Sequence, residues 1–103
     1  PQRPDGKAAA IALNQQLVAS ERAADVLFLF KDKGGEFNHV NLATALHRLG
    51  KLGRSFERSS MPLLHKLAER AASSIINDSK QWASRGLANA CWGVAKIGNV
   101  EAP

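Results

Sequence analysis

The sequence predicts an all-α protein, a short α-solenoid of about five helices that pair as antiparallel hairpins. Residues 42–53, LATALHRLGKLG, recur as residues 87–98, LANACWGVAKIG, at an offset of 45 residues (87 − 42). A fixed period of this size is typical of stacked helix pairs. Outside the two copies, apolar residues recur at three- and four-residue steps, which is the spacing of amphipathic helices. Short connectors between the predicted helices favour antiparallel neighbours.

The two copies match at their apolar positions and at their ends. The identical pairs are Leu42 and Leu87, Ala43 and Ala88, Ala45 and Ala90, Lys51 and Lys96, and Gly53 and Gly98. The match continues upstream of the copies, where Phe37 aligns with Trp82. We therefore predict repeated helices at 38–53 and 79–98, within one helical-repeat domain that spans residues 8–98.

The first half of the chain contains two predicted helices before the first copy. Residues 1–7 are rich in turn-forming residues and are predicted to be a flexible N-terminal end. The alanine-rich segment 8–19 predicts the first helix. Ser20 is the predicted N-cap of a second helix over 21–33, which Gly34 and Gly35 end. The apolar run 26–30 also fits a buried strand, but the residues before it and the two glycines after it favour a helix.

In the second half, cap residues predict where each helix begins. Asn38 is the predicted N-cap of the first copy, and Ser60 is that of a helix reaching about residue 76, with Pro62 in its first turn. Between them, 54–60 is predicted to be a polar connector. Asp78 with Gln81 resembles a capping box that opens the second copy. Gly98 is predicted to stop that helix, which leaves 99–103 as a C-terminal end.

The composition limits which classes of function the protein can have. The chain has 103 residues and a formal net charge of +5, with a pI near 9.9, which favours anionic partners and nucleic acid above all. A single cysteine, Cys91, excludes an internal disulfide, and no apolar run has the length of a membrane span. Because the chain begins with Pro1 and Met61 is its only methionine, we expect a processed product or a fragment whose targeting peptide is not visible.

A helical wheel divides the first copy into two faces. The core side is predicted to hold Leu42, Ala45, Leu46, Leu49 and Leu52. The opposite side holds Val40, Thr44, His47 and Lys51, flanked by Asn41 and Arg48. The equivalent outer positions in the second copy are Arg85, Asn89, Trp92 and Lys96. Each copy therefore presents a lysine, a small hydrogen-bonding side chain and a flat ring on its outer side.

This combination of side chains suits single-stranded RNA. Lysine neutralises phosphate, threonine or asparagine can contact a base edge, and a ring stacks on a base for about 1–3 kcal/mol. The candidate RNA-binding residues are Asn41, Thr44, His47, Arg48, Lys51, Arg85, Asn89, Trp92 and Lys96. The alternative is that these residues form an ordinary solvated helix face, or that Trp92 packs against a further helix. Trp82 and Phe37 are predicted to be core residues, and Cys91, which replaces Leu46, a small buried hydrophobe.

The repeated helices carry a family resemblance. Residues 38–52, NHVNLATALHRLGKL, and residues 87–98 resemble the helical repeats of octotricopeptide-repeat proteins and the related helical regions of RAP-domain and FAST-kinase-like proteins. Residues 13–38 are similar to the helix pair that precedes such repeats. The resemblance implies an α-solenoid in a mitochondrion or plastid that binds organellar RNA and acts in its maturation, stability or translation. The offset of 45 is longer than the usual octotricopeptide unit, and no RAP domain follows residue 98.

The sequence predicts no catalysis, metal or cofactor. His39, His47 and His65 are too far apart, without a cysteine or carboxylate at metal-ligand spacing. No phosphate-binding glycine loop, nucleophile elbow or paired carboxylates occur. Two non-enzymatic hypotheses remain: an RNA-binding repeat module, or a structural subunit of a larger organellar complex that uses the repeat as a protein–protein scaffold. Because repeat arrays need polar ends, we expect further repeats or a protein partner to cover the last helix, and the isolated chain to self-associate or be marginally stable.

Overall fold

The computed structural model describes residues 6–53 and 56–101, and every secondary-structure element in these ranges is helical. The five α-helices are α1 (Gly6–Ala19), α2 (Ala23–Lys33), α3 (His39–Leu52), α4 (Met61–Asn77) and α5 (Ser84–Glu101). Short 3₁₀ turns occupy Gly34–Glu36, Arg58–Ser60 and Ser79–Gln81. The prediction of an all-α protein with five helices is confirmed. No helix in the described ranges has the length and apolar character needed to cross a bilayer.

Helix α3 is the centre of the packing. It contacts all four other α-helices, and its contact with α5 is the most extensive in the molecule. Helix α2 also packs on α4, whereas α5 packs chiefly on α3. The Cα radius of gyration is 13.2 Å, which is the value of a compact globule of about 100 residues, and the principal-axis extents are 50 × 26 × 20 Å. Helix α5 is an edge helix whose main packing neighbour among the described elements is α3.

The core side that the helical wheel predicts for α3 is confirmed. Leu42 and Leu46 are each 2% exposed and Leu49 is fully buried, while Leu52 packs partly buried at the edge of the core. Burying a leucine side chain stabilises the fold by about 1.5–3 kcal/mol. The other four helices supply the side chains that cover this face: Leu13, Leu17, Val26, Leu27, Phe30, Leu64, Leu67, Ala71 and Ala90.

The 45-residue repeat extends into the turns before the two repeated helices. The 3₁₀ turns Gly34–Glu36 and Ser79–Gln81 lie at equivalent positions, and each is followed by a buried aromatic residue. The Phe37 amide donates to the Gly34 carbonyl at 3.2 Å, and the Trp82 amide donates to the Ser79 carbonyl at 3.1 Å. Phe37 is 6% exposed and Trp82 is 5% exposed, so the prediction that both belong to the core is confirmed.

Two of the predicted caps have other roles. Ser20 closes α1 instead of capping α2, because its amide donates to Leu17 and its Oγ donates to the Gln16 carbonyl at 3.1 Å. Asp25 caps α2, accepting bonds from the amides of residues 21 and 22. Ser60 immediately precedes α4, but its side chain makes no cap hydrogen bond because its backbone is already helical. The prediction of Ser20 as the N-cap of α2 is therefore wrong, whereas Ser60 occupies the predicted N-cap position of α4 without a side-chain bond.

The predicted limits of the second copy are also wrong. Helix α5 begins at Ser84, not at residue 79, because residues 79–81 form a 3₁₀ turn and Trp82 is extended. That backbone lets the indole enter the core, where its Nε1 donates to Ser74 Oγ at 3.0 Å. The helix also continues through Gly98 to Glu101, since no glycine in the described ranges adopts a positive φ. The connector 54–60 is only partly described, and within it Phe56 packs on the core.

The prediction that Cys91 is buried is wrong, because it occupies an edge helix. Leu46, its equivalent in α3, is enclosed by neighbouring helices, whereas Cys91 is exposed. Val94, which is equivalent to the buried Leu49, is 46% exposed. Among the described elements, nothing covers this side of α5.

Candidate nucleic-acid interface

Helices α3 and α5 approach closely because glycines lie at their crossing point. A β-carbon at Gly50 would lie 3.0 Å from the Cα of Gly93 and 3.0 Å from Cζ3 of Trp92. A β-carbon at Gly93 would clash with the Leu46 carbonyl and lie 2.9 Å from the His47 amide nitrogen. Real β-carbons do not approach backbone atoms this closely, so the crossing depends on glycine. It places the outer sides of both helices on one continuous surface.

We call this the outer surface, and it contains seven of the nine predicted RNA-binding residues. They are Thr44, His47, Lys51, Arg85, Asn89, Trp92 and Lys96. Thr44, Arg85 and Asn89 line one groove of about 180 Å³ between α3 and α5. Lys51, Arg85 and Lys96 are exposed to solvent, while Thr44, His47 and Asn89 are partly buried. The helical wheel predicted this grouping within each helix, and the α3–α5 packing joins the two groups.

Trp92 lies at the centre of a ring and cation cluster on the outer surface. Its ring centre is 4.9 Å from that of His47, with the planes inclined by 42°. Lys96 Nζ lies 5.8 Å from the centre of the indole, within the range of a cation–π contact. The Trp92 side chain nevertheless remains 40% exposed. The indole is thus supported by the protein while part of its surface is accessible to a ligand.

The electrostatic environment of the outer surface is positive. Helices α3 and α5 together contain four Lys or Arg residues and a single acidic residue, which is the last residue of α5. Burial, followed by the charges of Lys51 and Arg48, lowers the pKa of His47 below its usual value of 6.5. Neighbouring cations disfavour a further positive charge on the ring. The same field attracts an anionic ligand.

Asn41 is a structural residue, and its prediction as an RNA contact at the edge of the outer face is corrected. Its side chain is fully buried. Asn41 Oδ1 accepts the Asn38 amide at 3.0 Å and Asn38 Oδ1 accepts the Asn41 amide at 2.9 Å, which closes a reciprocal cap at the start of α3. Asn41 Nδ2 donates to the Ala10 carbonyl at 3.0 Å and contacts Asn14. The predicted role of Asn38 as N-cap is confirmed.

Arg48 is also turned towards the interior of the molecule, so its prediction as an RNA contact is corrected. Its Nη2 donates to the Ser20 carbonyl at 2.6 Å, which ties α3 to the end of α1. Its Nε is buried without a hydrogen-bond partner. The guanidinium contributes to the positive field at His47, while its Nε and Nη2 face the protein.

Sequence reasoning missed two residues that line the groove between α3 and α5. His39 and Gln81 join Thr44, Arg85 and Asn89 there. The His39 ring lies 6.2 Å from the Trp82 ring, so the buried indole positions it. Neither residue belongs to the matched segments 42–53 and 87–98, and the one local pattern there, the Asp78 and Gln81 capping box, does not indicate a groove. The sequence did contain a signal for the helix crossing. Gly50 lies inside a helix although glycine has a low helix propensity, which indicates that another backbone approaches closely there.

No family model, curated protein or solved structure matches the chain. Across the described ranges, no group of three His, Cys, Asp or Glu side chains is placed to hold a metal ion.

A second concave surface lies between α1 and the start of α3. Its volume is about 590 Å³, which is within the range of ligand and peptide sites. Its exposed surface is mainly apolar and includes Ile11, Val18 and Val40, which are 52%, 55% and 46% exposed, while polar side chains also line it. Val40 and His39 also line the groove between α3 and α5, so the apolar groove adjoins the outer surface. The sequence analysis did not identify this groove.

Proposed function

We propose that the protein is a non-catalytic helical-repeat module that binds single-stranded RNA through the outer surface. The observation that carries the proposal is the cluster of Trp92, His47 and Lys96, in which a partly exposed indole lies beside a cation. Stacking a base on an aromatic ring contributes about 1–3 kcal/mol, and lysine neutralises the adjoining phosphate. This pairing of ring and cation is the chemistry that single-stranded RNA requires.

The remaining residues of the outer surface have complementary roles in this proposal. Lys51 and Arg85 extend the positive field along the two helices and contact the phosphate backbone. Thr44 and Asn89 both line the groove and offer donors and acceptors to a base edge. His47 supports the indole and, because its pKa is lowered, is mainly neutral near pH 7.

We infer that the five helices form a short solenoid of helical hairpins. Support comes from the structural repeat, since a 3₁₀ turn, a buried aromatic residue and a helix recur at an offset of 45 residues (79 − 34). Helices α1, α3 and α5 are successive neighbours, and α2 packs on α4, as two layers of a stack would. The resemblance of α3 and α5 to octotricopeptide repeats is the basis for proposing an organellar RNA as ligand and a mitochondrion or plastid as location.

The test is binding to a pool of single-stranded RNA, measured by fluorescence anisotropy across a salt series. Replacing both Lys51 and Lys96 with alanine removes two phosphate contacts and should flatten the slope of log K against log salt by about 1.4. The matched control, Lys31→Ala with Lys66→Ala, removes the same charge from the groove between α2 and α4. Equal slopes for the two double variants, or no binding near physiological salt, would contradict the proposal.

A second candidate function is a protein–protein scaffold within a larger organellar complex. The apolar groove of Ile11, Val18 and Val40 favours it, because exposed apolar concave surfaces accept amphipathic helices. An Ile11→Asp substitution would separate the two functions, since it lies outside the outer surface. Loss of a defined protein complex with RNA affinity retained would assign the groove to a protein partner.

A further inference from the structure

The distal side of α5 repeats the surface of α3 on which α5 itself packs. Three α3 residues, Ala43, Leu46 and Gly50, form that surface at the crossing. A β-carbon placed at Gly86 would lie 3.9 Å from the Cβ of Ala43, and Gly93 lies against Leu46 and Gly50. At the offset of 45, these positions correspond to Ala88, Cys91 and Ala95. All three are exposed. Helix α5 therefore carries a second, unused copy of an internal helix-docking surface.

The composition of this distal side indicates what it accepts. On a helical wheel, Ala88, Cys91 and Ala95 lie between the outer surface, where Arg85 and Lys96 are, and the apolar pair Leu87 and Val94. The arc from Val94 to Ala88 contains no charged residue. An uncharged, small-residue and apolar face allows close helix approach and offers no ion-pair partner. The expected occupant is a helix with an equally uncharged, small-residue face.

Helix α1 of the same chain presents such a face. The α5 residues that face α3, namely Gly86, Ala90, Gly93 and Ile97, are spaced four, three and four residues apart. On the side of α1 away from the buried Leu13 and Leu17, four exposed residues have the same spacing: Ala8, Ala12, Gln15 and Ala19. Lys7 is the only charged residue in α1. A four-three-four spacing marks one face of any α-helix, so the lack of charge on this face of α1 is what matches the distal side of α5.

We propose that a second copy of the chain docks its α1 on the distal side of α5, in a head-to-tail contact that repeats the α3–α5 packing. The alternative symmetric contact, α5 against α5, is disfavoured by charge. An antiparallel pairing about Cys91 would place Arg85, six residues before it, level with Lys96, five residues after it, on the facing helix. A head-to-tail contact leaves one free end on each copy, so assembly continues beyond the dimer.

Sedimentation velocity under reducing conditions over a wide concentration range tests the proposal. We expect the wild-type chain to form species larger than a dimer as concentration rises. Ala12→Glu blocks the α1 face and Cys91→Glu blocks the α5 face, and each variant alone should be monomeric. An equimolar mixture should form a 1:1 dimer and nothing larger, because each variant retains one intact face. Ala72→Glu, at an exposed position of α4, is the control and should assemble like the wild type.

Three results would overturn the proposal. The first is a wild-type chain that stays monomeric at every concentration. The second is an Ala12→Glu variant that still dimerises, which would indicate a symmetric α5 contact. The third is a mixture of folded Ala12→Glu and Cys91→Glu that remains monomeric. Far-UV circular dichroism identifies folded variants, and none of these outcomes depends on RNA binding.

Discussion

Gly93 in α5 lies directly on the backbone of Leu46 in α3. A β-carbon at position 93 would overlap the Leu46 carbonyl, and the His47 amide nitrogen would lie only 2.9 Å away. Because these are backbone atoms, the contact cannot be relieved by a side-chain rotation. This single relationship joins α5 to its main neighbour and sets the distance between the two halves of the outer surface.

The first prediction is that Gly93→Ala destabilises the protein. The added methyl group must push α5 away from α3, and overpacking of this kind costs about 1–3 kcal/mol. Gly98→Ala is the matched control in the same helix, since nothing lies within 4 Å of a β-carbon there. It should raise the free energy of unfolding by about 0.5–1 kcal/mol through helix propensity. Urea unfolding measures both effects, and equal responses of the two variants would contradict the close crossing.

The contrast between α3 and α5 shows what the sequence could predict. The limits of α3 were predictable because Asn38 supplies a local cap and Gly53 a local stop. The start of α5 was not, because Trp82 holds an extended backbone in order to bury its indole against α4. Likewise, the exposure of Cys91 depends on which helices surround it, which a local pattern does not encode. Local signals therefore predicted the helix content, and tertiary contacts decided the boundaries.

The second prediction concerns Asn41. Asn41→Ala removes the Oδ1 that accepts the Asn38 amide, which is one half of the reciprocal cap, and the Nδ2 that donates to the Ala10 carbonyl. The lost half of the cap costs about 1 kcal/mol, and the lost buried hydrogen bond to Ala10 costs about 1 kcal/mol more. Thermal unfolding should show a clear loss of stability, whereas Asn89→Ala on the outer surface should change stability little. An Asn41→Ala variant as stable as Asn89→Ala would contradict the buried network.

The candidate site was predictable to the extent that it depends on helix geometry. The wheel placed Thr44, His47 and Lys51 on one side because successive residues rotate by about 100°. It failed for Asn41 and Arg48, which lie at the border of that side and contact α1. Whether a residue at such a border faces solvent or the protein interior depends on the position of the neighbouring helix. His39 joined the groove for a similar reason, through the tertiary position of Trp82.

The third prediction is a pH dependence of stability caused by His47. Burial and then the charges of Lys51 and Arg48 lower its pKa in the folded chain below the usual 6.5. Between the two pKa values the unfolded chain binds more protons, so stability rises with pH in that range. Stability should be fully retained above about 6.5 and should fall as the pH drops towards the lowered pKa. Urea unfolding at several pH values measures this loss.

The control for this prediction is His47→Gln, which keeps a polar side chain but cannot titrate. It should lose the part of the pH dependence that His47 contributes. Lys51→Ala should raise the pKa of His47, as followed by NMR of the imidazole protons. A His47 pKa at or above 6.5 in the folded chain would contradict the cationic environment of the outer surface.

The last prediction separates stacking from charge in RNA binding. Trp92→Ala should weaken binding to single-stranded RNA by about 5- to 150-fold, which corresponds to 1–3 kcal/mol of stacking. Trp92→Phe should retain much of the affinity because a ring remains. Neither variant should change the salt slope, since no phosphate contact is lost. Phe28→Ala is the control, because Phe28 is 65% exposed on α2, away from the outer surface. Equal effects of Trp92→Ala and Phe28→Ala would exclude Trp92 as a stacking platform.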